Sequence, residues 1–168
     1  MKTKTKRTFS ILMTVITLIL CMSVCTACGK TQESANIEGE LTDILAQIYE
    51  GADLDSETKE AMATAYYTDV LTEDNATLFL GTSEVSYVEG IISAPLMNVI
   101  PYQCVLLRVN SEDVDSVKTL LLENADLNKW VCVSADTAKA ENIGDLVLFV
   151  MGEQNVADAV VASFKALK

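Results

Sequence analysis

The spacing of apolar residues predicts one amphipathic helix in the first half of the chain and another at its C-terminal end. Both stripes repeat at intervals of three or four residues, which places their members on one side of a helix. The first stripe consists of Leu41, Ile44, Leu45, Ile48 and Tyr49, and the helix is expected to end near Gly51. The stripe of the last helix consists of Val156, Ala159, Val160, Phe164 and Leu167. A further helix is predicted after Asp55 or Ser56, either of which can cap it, with Met62, Ala65 and Tyr66 at the same spacing.

Between these helices the pattern changes to runs of β-branched, aromatic and aliphatic residues, which are typical of strands. The predicted strands are 77–80, 85–92, 102–109, the weaker run 130–133 and the continuous apolar run 146–151. Pro95 and Pro101 bracket an apolar segment, 96–100, and keep it out of a central strand because proline cannot donate a ladder hydrogen bond. Asn110 and Ser111 are predicted to cap a helix whose buried side carries Val114, Val117, Leu120 and Leu121.

A strand–turn–helix unit occurs twice when Val105 is aligned with Val147, since Val114 then falls on Val156 and Val117 on Ala159. A repeated unit of this kind favours one sheet with helices packed against it. The sequence therefore predicts an α+β fold of two layers. We expect a mostly antiparallel sheet with helices on one face, preceded by two N-terminal helices.

The N-terminal part of the chain has the organisation of a secretory signal peptide. The first seven residues carry four positive charges and no acid, and no further charged side chain appears before Lys30. An apolar run, 11–22, follows, with small residues after it at Ser23, Thr26 and Ala27. This order predicts export and removal of the segment. The run approaches the roughly 20 residues of a spanning helix, so an uncleaved membrane anchor is the alternative.

The residues around Cys28 resemble a bacterial lipobox, in which small residues precede the cysteine that receives a lipid. The matching sequence is Cys25-Thr26-Ala27-Cys28-Gly29. The resemblance implies removal of residues 1–27 and a diacylglyceryl thioether on Cys28, which would hold the protein on a membrane. Cys25 stands where the motif usually has leucine, and cleavage by an ordinary signal peptidase is the alternative. Residues 28–37 are then a polar tether, and 38–168 form a single α+β domain.

Removal of the signal peptide makes the remaining chain strongly acidic. Eight of the 12 basic residues and all 24 acidic residues remain, which gives a net charge of −16. Such a charge repels nucleic acid, and its field favours cations or basic partners. The alternative is a solvated acidic surface that serves solubility alone.

The residue types present exclude several common chemistries. The chain contains no histidine, so Ser-His-Asp and Cys-His catalytic sites are excluded, and the most common transition-metal ligand is missing. No glycine-rich phosphate loop is present. The alternating acids Asp53, Asp55 and Glu57 lack the glycine of a calcium loop and are better explained by a helix cap. We therefore expect no metal site, no cofactor and no catalytic residue.

Two sets of residues are candidates for roles in the folded domain. Cys104 and Cys132 can form a disulfide in an exported protein, and two free thiols are the alternative. The segment between the two prolines can present apolar side chains to a partner, or it can pack over the sheet. The candidate contact residues are Leu96, Met97, Val99 and Ile100. Trp130 is predicted to be a core or edge residue.

The C-terminal part of the chain resembles domain of unknown function 4358, a family of lipoproteins from Gram-positive bacteria. The similarity rests on Gly-Asp-Leu-Val-Leu-Phe-Val-Met-Gly at 144–152 and Ala-Asp-Ala-Val-Val-Ala-Ser-Phe-Lys at 157–165, and it extends over most of 40–168. The family carries no established activity, so the resemblance implies a role for Cys28 alone.

These features together predict a lipoprotein anchored to the outer face of the cytoplasmic membrane through Cys28. Its domain is expected to be a non-catalytic module that binds an envelope protein or a small ligand. A small carboxylate-dependent hydrolase lacking histidine is the competing hypothesis, and a structural component of an envelope assembly is a third. A hydrolase predicts a concave pocket with two or more acids of raised pKa, whereas an interaction module predicts a flat or apolar surface patch.

Overall fold

The computed structural model of the chain describes residues 36–168, which contain five helices and a five-stranded sheet. The helices are α1 (Leu41–Gly51), α2 (Ser56–Thr64), α3 (Glu73–Leu80), α4 (Val114–Glu123) and α5 (Gln154–Lys165). The strands are β1 (Tyr66–Val70), β2 (Glu89–Pro95), β3 (Gln103–Arg108), β4 (Thr137–Ile143) and β5 (Leu146–Gly152). The predicted α+β class is confirmed, as are the two helices that precede the first strand. Within this part of the chain, no helix combines the length and the apolar character needed to cross a bilayer.

The sheet has the strand order β1-β2-β3-β5-β4, and every pair of neighbours is antiparallel. At its centre, β3 and β5 pair over six residues, with Leu106 opposite Leu148 and Val105 opposite Phe149. All four of these side chains are fully buried. The β3–β5 pair is therefore the middle of the apolar core.

Helices cover both faces of this sheet, so the structure has three layers where the sequence predicted two. Every residue of β5 is buried, as expected for a continuous apolar strand enclosed on both sides. One face, here called the first face, packs against α1 and α5 through Cys104, Leu106, Leu146, Leu148 and Val150. The opposite or second face packs against α3 and α4 through Ile92, Val105, Leu107, Val147 and Phe149. The helices expected on one face are thus divided between two.

The two predicted strand–turn–helix units are present as β3–α4 and β5–α5. Val105 and Val147, which the sequence aligns, both lie on the second face. The helices that follow nevertheless pack on opposite faces, α4 on the second and α5 on the first. The units therefore share the order of their elements but not their packing.

The segment 77–80 is the end of helix α3 and not a strand. Its N-terminus is fixed by Thr72 and Asn75, since the Asn75 side chain accepts a hydrogen bond of 2.8 Å from the Thr72 amide. At its C-terminus, Gly81 adopts the left-handed conformation, with φ 78°. These two capping devices outweigh the β-propensity of a short apolar run.

Two strands are missing from the prediction, and a second predicted strand, besides 77–80, does not form. β1 was missed because its first residue, Tyr66, continues the helical spacing of the apolar residues in α2. β4 was missed because it is an edge strand and carries polar residues. The run 130–133 belongs to the loop between α4 and β4. The strand predicted at 85–92 begins later, at Glu89, and runs to Pro95. Helix α4 begins at Val114, after a turn in which the Asp113 amide donates to the Asn110 carbonyl.

The first described residues are attached to the sheet by Arg108 at the end of β3. Its guanidinium donates hydrogen bonds to the carbonyl oxygens of Ile37, at 2.9 Å, and Gly39, at 3.0 Å. The same group bonds to the Glu89 carboxylate at 2.8 Å and lies 3.5 Å from Asp145 Oδ1, which is buried without a hydrogen bond. Arg108 therefore fixes the point at which the chain joins the sheet.

Replacing Arg108 by methionine removes three hydrogen bonds and leaves the buried Asp145 oxygen without its counter-charge. We expect Arg108→Met to lower the free energy of unfolding by about 1–3 kcal/mol, the cost of buried polar groups without partners. Glu89→Gln is the matched control, because this half-exposed partner contributes less than about 1 kcal/mol. Urea unfolding measures both values. Equal losses in the two variants would contradict this role of Arg108.

Candidate functional site

The apolar segment between the prolines lies on a loop outside the sheet. The 96–101 loop, followed by Tyr102, connects β2 to β3. Three of the four candidate side chains project into solvent: Leu96 is 68% exposed, Met97 63% and Val99 51%. Ile100 is partly buried and packs against the first face. The loop is kept out of the sheet because β2 ends at Pro95.

Two further exposed apolar side chains lie next to this loop. Leu78, on α3, lines one cavity together with Leu96 and Met97. Val131 is joined to the loop by a hydrogen bond of 3.0 Å from its amide to the Asn98 carbonyl. We call the set of exposed residues the apolar patch, and it consists of Leu78, Leu96, Met97, Val99 and Val131. A group of exposed apolar side chains in one region of the surface is typical of a site for protein contact.

A cavity of about 230 Å³ opens beside the apolar patch, and its one basic side chain is Lys129. The Lys129 ammonium donates to the Leu78 carbonyl at 2.6 Å and to Gln103 Oε1 at 2.5 Å. It also lies 5.1 Å from the centre of the Phe79 ring and 5.6 Å from that of Trp130. Burial lowers the pKa of Lys129 to about 8, although the Asp126 carboxylate opposes the shift. We call this space the apolar cavity.

A second cavity, of about 420 Å³, combines carboxylates with aromatic rings. Its aromatic walls are Tyr66 and Tyr102, whose ring centres are 5.3 Å apart with a tilt of 48° between the ring planes. The other lining residues are Asp55, Glu57, Thr58, Ala61, Ile100, Pro101, Glu153 and Val156. Ile100 and Tyr102 line both cavities, so the end of the 96–101 loop separates them. We call this second space the acidic cavity.

The floor of the acidic cavity is held by buried tyrosines. Tyr102 is 3% exposed, and its hydroxyl donates to the Tyr49 hydroxyl at 3.2 Å. Burial raises the pKa of both phenols well above the usual value, so both stay neutral. Ser93, on β2, has a buried hydroxyl without a hydrogen-bond partner. Tyr102 therefore forms part of the cavity floor with little of its ring exposed, while its hydroxyl is bonded inside the domain.

Asp55, which lines the acidic cavity, and Asp158, which lies outside it, both have lowered pKa values. Asp55 caps α2 by accepting hydrogen bonds from the Thr58 amide and hydroxyl, at 2.9 and 2.7 Å, and these bonds lower its pKa. Hydrogen bonds from Lys139 and Gln154 lower the pKa of Asp158. A general acid needs the opposite shift. Within 36–168, no three Asp, Glu or Cys side chains are grouped so that they could hold a metal ion. Asp55 caps α2, as the sequence predicted.

Cys104 and Cys132 are free thiols, so the disulfide that the sequence permits does not form. Cys104 is 1% exposed within the first-face core, and burial raises its pKa to about 12. Cys132 is exposed in the loop after α4, with φ 62°, and its neighbours Trp130 and Val133 pack on the second face. The two thiols therefore belong to opposite sides of the sheet. Cys28 lies outside the described residues.

Sequence reasoning missed the residues that make the two cavities. Lys129 lies in a loop without regular secondary structure, so no pattern marks it. Glu153 is one of 24 acidic residues and is not distinguished by its spacing. Trp130 has the predicted core position, 7% exposed, and in addition lines the apolar cavity. The signal available in the sequence was Pro101-Tyr102, which places an aromatic ring directly after the predicted loop.

No family model, curated protein or solved structure matches this chain in the three comparisons made. The similarity to domain of unknown function 4358 stays a prediction.

The positions of the two thiols predict very different reactivities. With a maleimide reagent at neutral pH, we expect Cys132 to be labelled in the folded protein and Cys104 to be labelled only after unfolding, because thiolate and access are both required. Mass analysis of the two peptides reads the labelling, and Cys132→Ser is the control. A Cys104–Cys132 cross-linked peptide, or equal labelling rates, would contradict the structure.

Proposed function

We propose that this chain is a lipoprotein anchored to the outer face of the cytoplasmic membrane through Cys28, and that its domain is a non-catalytic module that binds another envelope protein. The observation that carries the proposal is the apolar patch, together with its place in the fold. It lies at the end of the sheet opposite to the point where the N-terminal segment joins.

The geometry of β3 supports this orientation. Ile37 and Gly39 are bonded to Arg108, at the last residue of β3, whereas the 96–101 loop leads into the first residue of that strand. Six residues of strand at about 3.3 Å each separate the two ends by roughly 20 Å. A lipid on Cys28 would therefore be attached through the segment that joins the sheet at its Arg108 end, and the apolar patch lies at the other end of β3.

The chemistry of the patch supports a protein partner. Leu96 and Met97 are long, flexible side chains around a cavity of about 230 Å³, which can take an apolar side chain from the partner. After removal of 1–27, the net charge of −16 repels nucleic acid and acidic surfaces. The competing hydrolase hypothesis has less support, because the shifted carboxyl groups, Asp55 and Asp158, have lowered pKa values.

The double variant Leu96→Ser/Met97→Ser tests the binding surface. Burial of such a side chain contributes about 1.5–3 kcal/mol, so we expect the yield of cross-linked partner in intact cells to fall at least about tenfold. Val88→Ser is the matched control, since Val88 is 66% exposed but lies outside the patch. Quantitative mass spectrometry of the cross-linked peptides provides the measurement.

Two results would reject the proposed partner surface. One is an unchanged set of cross-linked proteins in the double variant, and the other is an equal loss in the Val88→Ser control. Urea unfolding of both variants checks that the fold is intact, because exposed substitutions normally change the free energy of unfolding by less than about 0.5 kcal/mol.

A further inference from the structure

We infer that the acidic cavity binds a small organic cation that carries an alkylammonium group on an apolar body. This site is separate from the protein contact proposed above, because the side chains that would recognise the cation are not members of the apolar patch. Three features of the cavity carry the inference: its aromatic walls, its carboxylates and its apolar lining.

The aromatic walls give the cavity a surface that attracts cations. Tyr66 is partly exposed and presents its ring to the cavity, while the Tyr102 ring, 3% exposed, packs behind it with the ring centres 5.3 Å apart and a tilt of 48°. A cation within about 6 Å of such rings is attracted by the negative charge of the ring faces. The volume, about 420 Å³, lies in the range of small-molecule sites.

The charges around the cavity have one sign. Asp55, Glu57 and Glu153 line it, and its lining contains no Lys or Arg. Asp55 is held as an anion by its bonds to Thr58. Burial raises the pKa of the Tyr66 phenol, and the negative charge of the nearby Glu153 raises it further. A cation above Tyr66 would therefore contact a ring and a carboxylate together.

The apolar lining distinguishes an organic cation from a metal ion. Ala61, Ile100, Pro101 and Val156 occupy the remaining wall, where they offer a metal no ligand but can pack against alkyl groups. In the described chain, the acids of this cavity are also not grouped as a metal-ligand set. The ligand class that fits all three features is an alkylammonium with a methylated or aliphatic body.

The test is calorimetric titration of the full chain in a non-ionic detergent at low salt. The probes are choline, its neutral isostere 3,3-dimethylbutan-1-ol, n-butylammonium and calcium. We expect saturable binding of the two organic cations and at least about tenfold weaker binding of the neutral alcohol. Calcium should bind more weakly than choline, because it gains nothing from the rings.

Variants assign the binding to this cavity. We expect Glu57→Gln/Glu153→Gln to weaken choline binding by about tenfold and Tyr66→Leu by about threefold or more. Glu60→Gln, on the same helix but outside the cavity, is the matched control and should bind like the parent protein. Leu96→Ser/Met97→Ser should also bind normally, which separates this site from the apolar patch.

Three results would overturn the inference: no saturable binding of either organic cation, equal affinity for choline and the neutral alcohol, or the same effect of Glu60→Gln and the double cavity variant. Calcium binding that depends on Glu57 and Glu153 but not on Tyr66 would assign the cavity to a metal instead. Circular dichroism of every variant confirms that the fold is retained.

Discussion

The antiparallel pairing of β3 with β5 is the interaction on which the rest of the structure depends. Both strands are buried on both faces, so their backbone amides have no access to water and must all be paired within the sheet. This requirement places β2 and β4 on either side of the pair, and it demands helices above and below. Both faces of the sheet are therefore covered by helices and form the core. The two ends of the sheet remain available for contact with other molecules.

The two ends differ in what they carry. At one end, Arg108 joins the N-terminal segment to β3 through two backbone carbonyl groups. At the other end, the 96–101 loop separates an apolar cavity from an acidic one, with Tyr102 as a shared wall. The central strands fix the distance between these ends. The proposed attachment point and the proposed recognition surface are therefore separated by the length of β3.

The elements that could be predicted from the sequence are those whose burial leaves a regular pattern. α1 and α5 bury one side each, and β5 is apolar throughout, so periodicity and continuity identify them. The edge strand β4 leaves a weaker signal, since its outer positions are polar. Helix α3 depends on its Thr72–Asn75 cap and on Gly81. The strand predicted for 77–80 rested on β-propensity alone and did not include these capping residues. The second layer of helices was missed because a buried central strand does not reveal which helix covers which face.

The candidate sites were predictable only in part. Two prolines in the sequence were enough to place the apolar loop outside the sheet. The cavities could not be predicted, because Glu57, Tyr66 and Glu153 come from three different elements and meet only in the folded chain. The disulfide question also depended on the fold, since Cys104 and Cys132 are assigned to opposite faces by packing and not by their spacing. Local pattern thus predicts elements and exposed loops, while convergent side chains require the tertiary structure.

Paramagnetic relaxation in lipid vesicles tests most directly the central claim that attachment and recognition occupy opposite ends of the sheet. Protein purified from membranes, with the acyl group proposed on Cys28, is reconstituted in neutral vesicles that contain a gadolinium-chelating lipid. Amide signals are then compared with and without the metal. The account predicts the strongest attenuation around Gly39 and Arg108 and the weakest at Leu96, Met97 and Val99. The reverse order would contradict it, as would purified protein without acyl chains on Cys28.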